Sequence, residues 1–502
     1  MIAKIQSYAL NGLTGIAVSI EIDINNGIPS FDIVGLADTA VKESKERVRS
    51  AIKNSGRQFP TKKITANLAP ADVKKEGSIF DLAIAIGLLK ASSQLVAETD
   101  EIVFIGELSL DGSLRGVNGI LPTLISASEN YKKFIVPSDN ATEASFVEGV
   151  EVYPAKNLIE VIDHLSGLKH IEKISNGVYL GKESENLYDM DLSLVKGQKV
   201  AKRALEIAVS GGHNLLFVGA PGTGKSMLAK CIPTIMPDMS FAEALETTKI
   251  HSVAGLLSSS DGIVKARPFR SPHHTATTVS LTGGGKDLRP GEISLAHNGV
   301  LFLDEMPEYM RSTLEALRQP LEDGVITVSR ASGSVKYPAN FILCGSMNPC
   351  PCGNFGSNVK TCTCSPSQIA KYKARISGPL LDRIDIQVTV DEVNYSELIG
   401  TQKAEDSLTV RKRVNRTRLI QSNRFKDCNI KTNADMSEKH IAQFCKLSNE
   451  CEQVLKNAYE SLSLSPRARA RIIKVARTIA DMNLCDDIRT EHILEAISYR
   501  HG

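Results

Sequence analysis

Gly219-Ala220-Pro221-Gly222-Thr223-Gly224-Lys225-Ser226 directly follows the apolar run Leu215-Leu216-Phe217-Val218. A buried strand therefore delivers a glycine-rich turn to the start of a helix near Lys225, which is the architecture of a phosphate cradle. The glycines let backbone N–H groups close around the β-phosphate of a nucleoside triphosphate. Lys225 adds a point charge for the β and γ oxygens, and the Ser226 hydroxyl can coordinate Mg²⁺. The eight-residue pattern is far more specific than a lone GxGxxG, because it sits in the strand–loop–helix context that the chemistry requires.

A second apolar run, Val300-Leu301-Phe302-Leu303, ends in Asp304-Glu305, about 80 residues further on. Two carboxylates at one strand end divide the work. Asp304 can hold Mg²⁺ through its waters, and Glu305 can orient and deprotonate the water that attacks a γ-phosphate. The run Phe341-Ile342-Leu343-Cys344 leads to Asn348, whose amide can position the same water. Its bland alternative is a turn-forming Asn before Pro349. Arg383, in Leu381-Asp382-Arg383, precedes another strand-like run and is placed to neutralise transition-state charge at a neighbouring subunit.

These residues need a scaffold, and the chain supplies three segments. Residues 1 to about 165 read as mixed α/β: Ile16–Ile24, Ile102–Ile105 and Phe134–Val136 look like strands, and Val41, Ser44, Val48, Ala51, Ile52 and Ser55 share one helical face that Gly56 can end. A polar stretch from about Lys169 to Asp189 reads as a linker. From Asp191 to about Val393 strands and helices alternate as in a parallel nucleotide-binding sheet. Helical patterns follow, with Ile472, Val475, Ala476 and Ile479 on one face of a segment spanning Pro466 to Ser498.

With 502 residues the chain exceeds one hydrophobic core, and 23% charged and 42% hydrophobic residues describe an ordinary globular protein. The net charge of +2 is too small for whole-molecule attraction to nucleic acid, so any such contact must come from local basic loops. No apolar run reaches a membrane span's length and the N-terminus lacks a signal-peptide core, so a cytoplasmic location is expected.

The order of phosphate loop, Leu303-Asp304-Glu305, Ser346-Met347-Asn348-Pro349 and Leu381-Asp382-Arg383 resembles the AAA+ ATPases of the magnesium-chelatase and MCM-helicase branch. The resemblance implies ATP with Mg²⁺, Asn348 as sensor 1, Arg383 as arginine finger and Arg467, in Leu464-Ser465-Pro466-Arg467-Ala468, as sensor 2. Arg375 is a weaker finger candidate. It also implies a homo-oligomeric ring, usually hexameric, in which one subunit's finger completes the next subunit's site. Phe31–Leu36, Asn67–Asp72, Arg267–His274 and Val475–Asp481 extend the resemblance, over essentially the whole chain, to the ComM/YifB group of magnesium-chelatase-like proteins. The implied fold class is α/β and multidomain: a Lon-protease-like domain (1–168), a linker (169–190), a P-loop AAA+ domain (191–393) and a helical lid (394–502).

Gly106–Gly112 and Phe134–Pro137 are similar to the proteolytic domain of Lon, whose activity needs a Ser nucleophile and a Lys base. Asp81 occupies the serine position and Asn118–Thr123 holds no lysine, so the domain reads as an inactive protease fold. Ser78 with Lys74 or Lys75 is the residual candidate pair.

Between the ATP motifs, Lys265–Gly291 carries Lys265, Arg267, Arg270, His273, His274, Lys286 and Arg289 among several glycines, and Val325–Lys336 reads as a hairpin bearing Arg330 and Lys336. Arg267, Arg270 and Lys336 are the residues expected to grip a DNA backbone, as loops at these places do in MCM-like relatives. The bland alternative is two solvated loops. Cys350, Cys352, Cys362 and Cys364 supply enough thiolates for a tetrahedral Zn²⁺ site, although each pair is one residue tighter than CxxC; a redox-active or unpaired cluster is the alternative.

The reading is an ATP-driven ring motor on single-stranded or branched DNA; resemblance to ComM implies branch migration in recombination during natural transformation. The rival is a protein-remodelling ATPase like the magnesium-chelatase motor subunit. A third class, a regulatory protease, lacks its Ser–Lys pair.

Overall fold

In the alternating run Ile16–Ile24, Val18, Ile20 and Ile22 are fully buried, and the run lies in a strand, Thr14–Asn25. It pairs antiparallel with Ile2–Asn11, from Ile2↔Asp23 to Asn11↔Thr14. The computed structural model describes residues 2–179, 188–285, 288–330, 333–357, 360–393, 404–462 and 464–500.

These strands lie within a seven-stranded sheet ordered Ser30–Val34, Lys63–Ala69, Thr14–Asn25, Ile2–Asn11, Ile102–Phe104, Lys133–Pro137, Glu151–Ala155. Helices Thr39–Asn54 and Asp81–Ala91 cover one face and Ile120–Ala127 the other, giving two separate apolar cores. The first helix buries Val41, Ser44, Val48, Ala51 and Ile52, begins with the Asp38 carboxylate accepting from the Val41 amide at 2.8 Å, and is followed by Gly56 at φ +72°.

The Lys169–Asp189 stretch is no free tether in its described part. The Ile174 amide donates to Val152 O at 3.0 Å, the Gly177 amide to Ser145 O at 2.9 Å, and Tyr179 Oη to Met239 O at 3.0 Å. Residues 180–187 of that stretch, and 394–403 at the start of the expected lid, lie outside the described residues.

The second sheet has five parallel strands ordered Phe269–Arg270, Val300–Leu303, Ile342–Met347, Leu215–Val218, Ile386–Thr389. Its central strands are buried throughout, which explains their unbroken apolar sequence. Register does the positioning. Val218 pairs with Met347, so Gly219 leaves the sheet beside Asn348, and Leu303 pairs with Gly345, so Asp304 emerges beside Ser346.

C-terminal helices Ser407–Arg424, Asn449–Ser461, Pro466–Met482 and Thr490–Ser498 pack on this sheet domain. The segment from Pro466 to Ser498 forms two helices, separated where Leu484 takes φ +57°. A buried polar knot fastens them to the sheet. Asp385 ion-pairs with Arg471, accepts from the Asn214 amide at 3.2 Å and faces His213 Nδ1 at 3.4 Å, while His213 Nε2 meets Thr478 Oγ1 at 2.8 Å.

Burial alone would raise the Asp385 carboxyl, but Arg471 and then His213 hold it below its ordinary value of 3.8. Its stabilising contribution is therefore complete above that value and is lost as pH falls toward the depressed one. Asp385→Ala leaves Arg471 and His213 uncompensated and is expected to cost about 3–5 kcal/mol in thermal or urea unfolding. A parental melting midpoint would show that the knot does not secure the helices.

Candidate active site

Three strand ends converge on the phosphate loop. Gly219 must be glycine because a Cβ there would stand 2.4 Å from Val390 O, and Gly222 and Gly224 take φ +83° and +94° with open space where a Cβ would lie. Lys225 is only 8% exposed, and its ammonium donates to Gly219 O at 2.7 Å, Ala220 O at 2.8 Å and Asn348 Oδ1 at 3.3 Å. Burial lowers the pKa of the ammonium, with Asp304 and Glu305 opposing that shift. A buried cation held by neutral oxygens in an amide-lined loop suits an anionic ligand, so the donor set fits a triphosphate.

Ser226 Oγ donates to Asp304 Oδ2 at 2.8 Å, bringing together the hydroxyl and carboxylate that suit Mg²⁺. The other Asp304 oxygen accepts from Ser346 Oγ and from the Glu305 amide at 3.1 Å; that amide also reaches Ser346 Oγ at 3.1 Å. Glu305 itself is exposed and takes φ +50°, an uncommon backbone conformation for a non-glycine residue. Ser346 has no role that its sequence context announces. Its one signal is a hydroxyl in an otherwise apolar strand, across from Asp304. His274 belongs to the basic loop in sequence, yet its Nδ1 stands 3.7 Å from Glu305 Oε2.

Arg383 and Arg467 belong to another edge. Arg383 precedes the Ile386–Thr389 strand, and its carbonyl accepts from Asn214 Nδ2 at 2.9 Å, at the end of the sheet opposite the phosphate loop. Arg383 is buried, and its guanidinium donates to Pro379 O at 2.8 Å and ion-pairs with Glu322. Glu322 is held below its ordinary carboxyl range by Arg383 first, with Arg467 adding to the pull, so the two arginines share one surface. Arg375 pairs with Glu308 at 2.7 Å.

Two of the expected DNA-gripping residues are engaged within the fold. Arg267 donates to Asn298 O at 2.7 Å, Pro237 O and Asp238 O and pairs with Glu243 at 3.2 Å. Arg270 forms a two-pronged pair with Glu292 at 2.6 and 2.8 Å. Neither is the free loop cation that the sequence suggested; their acidic partners lie on helices Phe241–Ala254 and Glu292–Leu295. Phe269 stacks on Phe302 with ring centroids 5.9 Å apart. Lys265, Arg289 and Lys336 are exposed. Lys286 and the Arg330 side chain lie outside the described residues.

The expected hairpin forms, Val325–Arg330 against Gly333–Pro338, and Tyr337 Oη donates to Leu288 O at 2.9 Å, tying it to the glycine-rich segment. In the N-terminal domain, the Ser78 hydroxyl donates to Glu107, Lys74 pairs with Glu76 and the buried Lys75 ammonium donates to Pro70 O. The hydroxyl proton thus goes to a carboxylate. Asp81 is buried and paired with Arg47 at 2.6 Å; burial raises its pKa to about 6 against the pull of Arg47.

Beyond Asn348, Sγ atoms of Cys350, Cys352, Cys362 and Cys364 all lie within 4.8 Å of one another. Amides of Asn354 and Thr363 lower the Cys352 thiol to about 5.

The family described as "Magnesium chelatase, subunit ChlI" matches residues 191–398, "Subunit ChlI of Mg-chelatase" matches 20–140, and "Magnesium chelatase, subunit ChlI C-terminal" matches 404–500. Competence protein ComM of Haemophilus influenzae is 44% identical over 99% of this chain and 97% of its own length. The chain belongs to the ComM/YifB family of magnesium-chelatase-like AAA+ proteins. YifB of Escherichia coli is 45% identical over 99% of this chain and 96% of its own. The chloroplastic magnesium-chelatase subunit ChlI of Nicotiana tabacum is 25% identical over 44% of this ComM/YifB chain and 42% of its own. Among the described residues no helix is long and apolar enough to cross a membrane.

Proposed function

We propose that this ComM/YifB protein is an ATP-driven ring motor, a homo-hexamer acting in the cytoplasm, that translocates on single-stranded or branched DNA and promotes branch migration in recombination during natural transformation. The observation that carries the ATPase part is the buried Lys225 ammonium, held by neutral oxygens beside the Ser226–Asp304 pair. Mg²⁺ held by Ser226 and Asp304 would supply charge neutralisation between the β- and γ-phosphates. The chain's own groups do the rest: the amides of Gly219–Ser226 and Lys225 orient the triphosphate, Glu305 takes the proton of the attacking water, and Asn348 positions that water. Arg383 and Arg467 serve the neighbouring subunit.

The domain roles follow. Residues 1–168 act as a Lon-like but non-proteolytic platform, 191–393 as motor and 394–502 as lid, and the four cysteines hold Zn²⁺.

The DNA part is supported by the similarity to a competence protein of Haemophilus influenzae and by the exposed cations Lys265 and Lys336 on two joined projections. Each phosphate contact is weak, but a ring repeats it around the strand. Lys336→Ala is therefore expected to weaken DNA binding for all sequences alike, to flatten the dependence of log affinity on log salt by about 1 for each phosphate no longer neutralised, and to leave basal ATPase intact. An unchanged slope would remove the hairpin from the DNA path.

The decisive experiment is steady-state ATPase at low salt without DNA, with single strands and with a four-way junction, using Glu305→Gln as the blank. Stimulation greatest for the junction supports branch migration. Equal rates in all three would transfer the assignment to protein remodelling.

A further inference from the structure

The cysteine segment leaves the sheet directly after Asn348, and its first turn is stacked on the phosphate loop. Gly353 takes φ +81°, and a Cβ there would stand 2.6 Å from Cδ and 2.9 Å from Cγ of Pro221. The turn is closed by the Gly353 amide donating to Cys350 O at 3.0 Å, and Cys350 is fully buried. On its other side Ser357 Oγ donates to Glu392 at 3.0 Å, just beyond Val390, whose carbonyl crowds Gly219. One short loop thus touches the cradle at Pro221 and, through Asn348 Oδ1, at the Lys225 ammonium.

Four thiolates about 2.3 Å from a tetrahedral Zn²⁺ stand about 3.8 Å apart. The Sγ atoms of Cys350, Cys352 and Cys362 are separated by 3.4, 3.7 and 3.6 Å, and the Phe355 amide donates to Cys350 Sγ at 3.3 Å. That spacing suits a shared ion, and amide donors orient thiolates around one. An ion shared by the sulfurs would add to the Gly353–Cys350 and Ser357–Glu392 hydrogen bonds in holding the turn against Pro221.

We propose that the Zn²⁺-bound cysteine turn is a clamp on the phosphate loop. Metal binding fixes Gly353 against Pro221 and Asn348 against Lys225, and this preorganises the cradle so that nucleotide affinity depends on the metal. The clamp rests on the reading of Gly219–Ser226 as the nucleotide cradle.

The test uses the full chain. Zn²⁺ per chain is measured by plasma mass spectrometry, and affinity for a fluorescent ATP analogue with Mg²⁺ is measured as isolated, after a zinc chelator, and after Zn²⁺ is restored. One Zn²⁺ per chain, about tenfold weaker nucleotide binding on removal and recovery on restoration are expected. Gly353→Ala keeps all four cysteines but forces the Pro221 ring aside, so it should retain Zn²⁺ and still bind nucleotide about tenfold more weakly. This variant decides the matter even if the stripped protein unfolds.

Absence of Zn²⁺ both as isolated and after addition would overturn the metal. Bound Zn²⁺ with parental affinity in Gly353→Ala would overturn the clamp. A Lys225→Ala chain that binds nucleotide like the parent would instead overturn the cradle, whatever the zinc count.

Discussion

Glu305→Gln is expected to bind ATP as the parent does and to turn it over about a hundred- to ten-thousandfold more slowly, the range for loss of a general base. The substitution keeps the shape of the side chain. It also keeps the anchored backbone, because the Glu305 amide and not its carboxylate bonds to Asp304 and Ser346. The proton-accepting ability is lost together with the negative charge that faces His274 at 3.7 Å. Lys225→Ala is the contrasting variant: it removes the buried ammonium that three oxygens hold at the mouth of the loop, so binding itself should fail. Equilibrium binding of a fluorescent ATP analogue and single-turnover hydrolysis separate the two. Parental turnover in Glu305→Gln would mean that another group accepts the proton, and the exposed left-handed position of Glu305 would need a different explanation.

The cradle was legible because its chemistry is contiguous: eight residues after a buried strand specify their own conformation. The strand order of the second sheet is not contiguous, yet the apolar runs ending in Asp304 and Asn348 marked which strands mattered, and register then set Gly219 beside Asn348. What stayed hidden was partner choice at a distance. Arg267 and Arg270 look like loop cations because nothing in the sequence says that Glu243 and Glu292 will fold onto them. Ser346 stands in the Ser346–Pro349 motif beside Asn348, but its contact with Asp304 exists only through the pairing that puts the two strands alongside. Helix faces were readable from periodicity, as in Thr39–Asn54 and in Pro466–Met482.

Arg383→Ala should assemble and bind ATP normally yet hydrolyse it about a thousandfold or more slowly, as expected when an arginine finger is withdrawn. The reason is positional. Asn214, which accompanies Arg383, precedes the phosphate-loop strand, and Gly219 follows it. The strand residues between them span about 13 Å at roughly 3.3 Å each, so the finger lies at the wrong end of its own sheet to meet its own cradle. In the proposed ring it would act on another subunit, and to do so it must exchange Glu322 for a phosphate oxygen.

Mixed rings make the distinction. An Arg383→Ala subunit keeps a sound cradle and Glu305, while a Glu305→Gln subunit keeps a sound finger. Where the second donates its finger to the first, a competent site reappears, so mixing two inactive proteins should restore a measurable fraction of turnover. If mixtures stay as inactive as either parent while analytical ultracentrifugation shows that mixed rings form, Arg383 does not act across the interface. Its tie to Glu322 is then structural only.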